Sequence, residues 1–432
     1  MKGIGMLLFV VGLVGFVSSA FSEETAPDIR IWEDTRDGQP VVIMENALYR
    51  TVFAYTQARL PLSYLFKVTG HEEFVMPEKL NDDHEHFHYF GGIIDSVPST
   101  SGADPEDRKG QLWRVPWKIK LVQHPTSAEF HGKATFSYDD PRTDVKATLA
   151  FEKVIVGYAG SSVLEMRYKI TNIGEKNARF MLTAHSRMGV GGAADEGDYF
   201  YAPGDSCRLY YTNWPSVLKP GVEPPCWIKW PVKEATDWLR TDKNYHIFVY
   251  LPSDWSGVGD EKFKESVFFV SSPIRLGKKT RQMRMGMFMV SSAPDYVMEP
   301  SLTYYGGEKG WDAPDGTVTL KPGEVCSFTL NMTAYQGVSR KTIEGLKEVR
   351  PNLLVLEPLK VRTEGDDLIL SGRIAVAGSG TLTVTAENKV FLEEKLEAGI
   401  VDLGRTIRGK RGMKGVSVKF RDSLGTVTLN SK

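Results

Sequence analysis

From about residue 28 to residue 336, apolar and polar positions alternate with a period of two. In VLEMRYKITN (163–172), Leu164, Met166, Tyr168 and Ile170 fall on one face, and Glu165, Arg167 and Lys169 on the other. VKATLAFEKV (145–154) and CSFTLNMTAY (326–335) repeat the pattern. This period marks antiparallel strands with one buried face. It predicts an all-β fold in which residues 28–337 form one large antiparallel β-sandwich. RQMRMGMFMV (281–290) places Met283, Met285, Met287 and Met289 on one face. Thioethers filling gaps in a core account for such a stripe better than a soft-metal site does.

The rhythm breaks at residues 191–245, rich in Gly, Pro, Asp and Trp, which reads as long functional loops. SRKTIEGLKEVRP (339–351) predicts one short helix. Ser339 would be its N-cap, Ile343, Leu346 and Val349 its apolar stripe, and Pro351 its stop. Residues 338–351 then form a helical linker. Residues 352–432, with short alternating strands and neither Trp nor His, form a small β-sandwich of the immunoglobulin-like kind.

Composition narrows the function classes. The net charge of -1 supplies no basic field for nucleic acid. Lys2, the apolar run MLLFVVGLVGFV and the small residues SSAFS have the order of a signal peptide over residues 1–22, with Ala20 and Ser22 at positions −3 and −1 of the cut. The run falls short of the about 20 residues that span a bilayer. The expectation is a secreted or periplasmic protein with no stable membrane anchor after cleavage. Of three cysteines, Cys207 and Cys226 suit a disulfide in an exported chain, with Cys326 buried in a strand; three buried thiols fit as well.

Four stretches, in order, carry a resemblance: FGGIIDSVP (90–98), KGQLWRVPWKIK (109–120), SSVLEMRYKITNIGEKNARFMLTAHSRMG (161–189) and VTLKPGEVCSFTLNMTAY (318–335). Together they resemble the galactose mutarotase-like (aldose 1-epimerase-like) superfamily, over roughly residues 28–337. The resemblance implies a large sandwich that binds a mono- or oligosaccharide in a cleft across one sheet, and epimerisation by general acid–base chemistry. It places the acid that protonates the ring oxygen at His185. The base comes from YYGGEKGWDAPDG (304–316), with Glu308 first and Asp312 second. Lys109 stands where the family often has a further histidine.

NDDHEHFHYFGG (81–92) offers replacements. On a strand, His84, His86 and His88 share one face, so His86 or His88 would read sugar hydroxyls. A metal site and a plain packing role are the other readings of this cluster. Arg114 and Arg187 are candidates to bond hydroxyls or the carboxylate of an acidic sugar. Trp311, with other loop tryptophans, offers an apolar ring to a sugar face, whereas Trp113 and Trp117 read as core plugs. No cofactor is implied and no stoichiometric zinc is expected. A non-catalytic carbohydrate-binding protein and a polysaccharide lyase or hydrolase are the alternatives to an epimerase.

Overall fold

The structure is a computed structural model. It describes residues 28–76, 92–99, 112, 115–140, 145–193, 195, 197–206, 208–211, 225–229, 246–250, 253–281, 284–292, 295–303, 318–344, 346, 348–387, 389–408 and 415–429. Two large sheets pack face to face. The main path of the first runs Ile29–Arg36, Gln39–Asn46, Tyr49–Ala54, Arg59–Phe66, Gly92–Ser99, Ala178–Arg187, Asp295–Thr303, Arg284–Ser292, His246–Tyr250 and Arg208–Tyr211. The second runs Pro225–Lys229, Asp198–Ser206, Trp255–Asp260, Glu265–Ser271, Val325–Gln336, Val163–Asn172, Val145–Tyr158, Ser127–Asp140 and Lys118–Gln123. The neighbours along both paths are antiparallel, as the alternating pattern predicts.

The alternation explains the core. Leu164, Met166, Tyr168 and Ile170 are buried, whereas Arg167 and Lys169 are exposed. They meet Phe180, Leu182 and Ala184 of the opposite sheet in one continuous apolar cluster. Trp117 plugs this core and gives its Nε1–H to the Leu112 carbonyl at 3.3 Å. Cys326 is a buried free thiol, its pKa pushed up to about 12 by burial. Cys207, Trp113 and Met283 lie outside the described residues, as do the side chains of the other three methionines of the stripe.

Two expectations change. The 191–245 region is less irregular than it reads, because Asp198–Ser206, Arg208–Tyr211 and Pro225–Lys229 are strands within it. The predicted helix is a single turn, Arg340–Glu344. Val349 leaves it for the short strand Glu348–Arg350, which pairs with Leu353–Glu364 across the turn at Pro351. Gly345, a poor helix former, follows that turn in the sequence. Beyond it, a sheet of five strands and one of four enclose a separate small core around Leu370, Leu382 and Phe420. A third cluster, including Val163, Phe268, Tyr335, Val349, Leu354 and Ala375, seats this unit against the large sandwich. Among the described residues no helix is long and apolar enough to cross a membrane.

A buried ion pair crosses the large core. Asp95, the acidic residue of FGGIIDSVP, meets Lys153 of the opposite sheet at 2.6 Å, and both are fully buried. Lys153 also donates to the Leu60 carbonyl at 2.6 Å and lies 4.6 Å from the centroid of the Tyr168 ring. Burial pushes the Asp95 carboxyl up and the Lys153 ammonium down, and their mutual attraction opposes both shifts. The acid of this motif ties the two sheets together.

Candidate functional site

Register across the first sheet defines the site. Ala178–Arg187 lies between Gly92–Ser99 and Asp295–Thr303. Ala184 and Leu182 point into the core, so positions 185 and 187 belong to the outer face. Position 185 pairs with Ile94 on one side and Ser301 on the other, and Ile94 in turn pairs with Arg59. Arg187 pairs with Gly92. Arg59, Ile94, His185 and Ser301 thus form one row across four strands, with Arg187 beside it.

Gly92 is required where it stands. Its φ is +93°, and a Cβ there would lie 2.4 Å from the Pro61 carbonyl oxygen. Arg59 and Arg187 are both nearly inaccessible, at 4% and 7%, and both hold partners. Burial, and next the Arg187 charge, pull the Arg59 guanidinium down to about 9. Two buried cations therefore stand side by side next to position 185.

Of the residues the sequence singled out, Arg187 is the one whose side chain is described. The His185 imidazole, His86, His88, Arg114, Glu308, Trp311 and Asp312 lie outside the described residues. The backbone places position 185 on the outer face near the middle of the first sheet, where the strand leads out towards Gly189.

The end of that strand also carries chemistry that the sequence reading missed. The Arg187 carbonyl accepts the Val75 N–H at 3.2 Å, and the Gly189 N–H donates to the Glu73 carbonyl at 3.0 Å. His-Glu-Glu (71–73) is thereby fastened to the strand end. His71 Nδ1 lies 2.8 Å from Glu265 Oε2, and the ring packs on Phe263 at 4.3 Å between centroids. Glu265 is buried while His71 remains partly exposed. An imidazole held by a buried carboxylate has its tautomer and orientation fixed and can pass a proton at its other nitrogen.

Glu72 accepts the Tyr64 N–H at 2.5 Å, and burial pushes its carboxyl up to about 7. Glu73 is fully buried and neither carboxylate oxygen has a hydrogen-bond partner. Burial, and next the charges of Glu265 and Glu72, hold its pKa well above the usual range. The adjacent acids at 72 and 73 were a local signal, but Glu265 arrives from the other sheet and only the fold brings it there.

No protein-family model matches the sequence, and no curated protein is significantly similar to it. Solved structures do match. A galactose mutarotase-like protein from Clostridium acetobutylicum superposes with a TM-score of 0.51 at 11% identity, over 72% of this chain and 99% of that one. The fold is that of the galactose mutarotase-like proteins. A candidate aldose 1-epimerase from Klebsiella pneumoniae subsp. pneumoniae gives a TM-score of 0.49 at 12% identity, over 72% of this chain and 83% of that one. A further galactose mutarotase-like protein, from Lactobacillus casei, gives 0.46 at 14% identity, over 68% and 100%. The mutarotase-like sandwich thus accounts for the two large sheets, and the outer face around position 185 lies within it.

Proposed function

We propose that the protein is exported, binds a mono- or oligosaccharide on the outer face of its first sheet, and acts on it as an aldose epimerase-like enzyme. The observation that carries this reading is the mutarotase-like fold, which a known structure shares over 99% of its own length. In this reading His185 gives a proton to the ring oxygen of the sugar, and Glu308 takes the proton of the anomeric hydroxyl. The C–O ring bond opens to the aldehyde, the carbonyl turns, and closure on its other face returns both protons. Imidazole suits the acid because its pKa lies near neutrality. His86, His88, Arg114, Trp311 and Asp312 supply the remaining sugar contacts.

An acid and a base acting on one anomeric centre stand on opposite sides of it. His185→Ala and Glu308→Gln should each slow anomer exchange by about 10²–10⁴-fold, the usual worth of a positioned acid or base. Sugar affinity should change by no more than roughly 1–3 kcal/mol, the value of one buried polar partner. Polarimetry and calorimetric titration with the same sugar separate the two effects. Binding without acceleration by the wild type would exclude epimerase action on that sugar and favour a non-catalytic carbohydrate-binding protein or a polysaccharide lyase or hydrolase.

A further inference from the structure

Three aspartates meet where the chain leaves the first sheet and enters the second. Asp198 opens the strand Asp198–Ser206 and pairs directly with Asp260, the last residue of Trp255–Asp260. Asp260 pairs in turn with Glu265, so three acids stand in one row across three strands. Like charges directly opposed on neighbouring strands are destabilising. Here Asp198, Asp260 and Glu265 are 2%, 0% and 1% exposed. Asp195 approaches from the preceding loop, and oxygens of Asp195, Asp198 and Asp260 all lie within 4.8 Å of one another.

The hydrogen bonds fix the acids without neutralising them. Asp198 Oδ2 accepts the Asp195 N–H at 3.1 Å, Asp260 Oδ1 accepts the Phe263 N–H at 2.7 Å, and Asp195 Oδ1 accepts the Gly197 N–H at 2.6 Å. The other oxygens, Asp198 Oδ1 and Asp260 Oδ2, are buried and have no partner. Gly197 permits the close approach. A Cβ there would stand 2.7 Å from Asp260 Oδ2 and 3.0 Å from Asp195 Oδ1. Lys262, the basic residue that acts on Asp260, is exposed and lies over the Phe263 ring.

We propose that Asp195, Asp198 and Asp260 bind a divalent cation through oxygen, and that the cation is calcium. Each carboxylate has one oxygen held by a backbone N–H, and Asp198 and Asp260 each turn the other inward unpartnered, the preparation expected of a metal ligand. An all-oxygen, carboxylate-rich donor set selects a hard cation. Three protein carboxylates suit calcium, which takes six to eight oxygen ligands, better than magnesium, which keeps several waters and is bound through one or two carboxylates. Burial, and next the Asp260 charge, hold Asp198 well above the usual carboxylate range, a penalty that a bound cation removes. The ion would fasten the 188–198 connection, which continues from the candidate sugar-binding strand, to the hairpin that ends at Asp260. The site has no part in the proposed proton transfers.

Titration of chelator-treated protein with calcium chloride, followed by calorimetry and by terbium luminescence sensitised through Tyr199, tests the site. One equivalent of calcium should bind with Kd on the order of 10⁻⁶–10⁻⁴ M. Calcium should displace terbium, and magnesium should bind at least tenfold more weakly. Asp198→Asn and Asp260→Asn should each weaken calcium at least tenfold, with Asp139→Asn on another strand as a control that changes nothing. Should either variant fail to fold, the wild-type titration decides alone. No calcium heat and no displaceable terbium signal up to millimolar metal would overturn the proposal and leave these acids sharing protons.

Discussion

Two buried groups of charges in this molecule are handled in opposite ways. In the middle of the sandwich, Asp95 faces Lys153 at 2.6 Å and the lysine has a carbonyl besides. At the end of the sandwich, Glu73, Glu265, Asp260 and Asp198 are as deeply buried, but there acid faces acid: Asp198 pairs with Asp260, Asp260 pairs with Glu265, and the Glu265 charge acts on Glu73. A paired charge in a dry interior is a tie between elements. A row of like charges in the same surroundings works against folding unless a proton or a cation joins it. The contrast separates what the fold needs from what it carries for another purpose.

The largest effect should come from breaking the pair. Lys153→Ala leaves a buried carboxylate alone and should cost about 3–5 kcal/mol, whereas Lys153→Met combined with Asp95→Leu should come close to neutral. Chemical denaturation of the three proteins measures both. Equal losses in the single and double variants would contradict the view of this pair as a charge tie.

At the acidic end the sign should reverse. Glu73 has a raised folded pKa, so the folded state holds its proton more tightly than the unfolded chain does. Stability contributed by that proton is present below the unfolded value and is lost as pH rises towards the folded one. Glu73→Gln, which keeps a neutral side chain at every pH, should therefore stabilise the protein by roughly 2 kcal/mol at pH 7 and change little at pH 4. Melting curves across that range would show a gap that widens with pH; a gap of constant size would remove the titration of Glu73 from the account. Glu72→Gln should give the same sign, with a gap that stops widening near neutrality because the folded pKa of Glu72 is about 7.

The strands were legible because one face of each is buried. Val163–Asn172 forms over the residues that its alternation marks, and Trp117 and Cys326 are buried as their surroundings in the sequence suggest. The mutarotase-like order of motifs was legible for the same reason, since Gly92 and Asp95 serve the geometry of the sheet. Val349 was misread because apolar spacing across 343–349 suits a helix, while pairing with Leu354 wins in the fold. The acidic row was not legible as a row. Asp198, Asp260 and Glu265 come together through strand register, which no local pattern specifies, although Asp-Glu-Gly-Asp at 195–198 hinted at its first members. Arg59 likewise meets Arg187 only because Gly92–Ser99 inserts between their strands.

The claim that most of this rests on is that the outer face around position 185 receives a sugar. Screening the folded protein against immobilised mono- and oligosaccharides tests it directly. The account predicts retention of a defined set of glycans, abolished by an excess of the free sugar. Retention of none of them by protein whose melting transition is intact would contradict it.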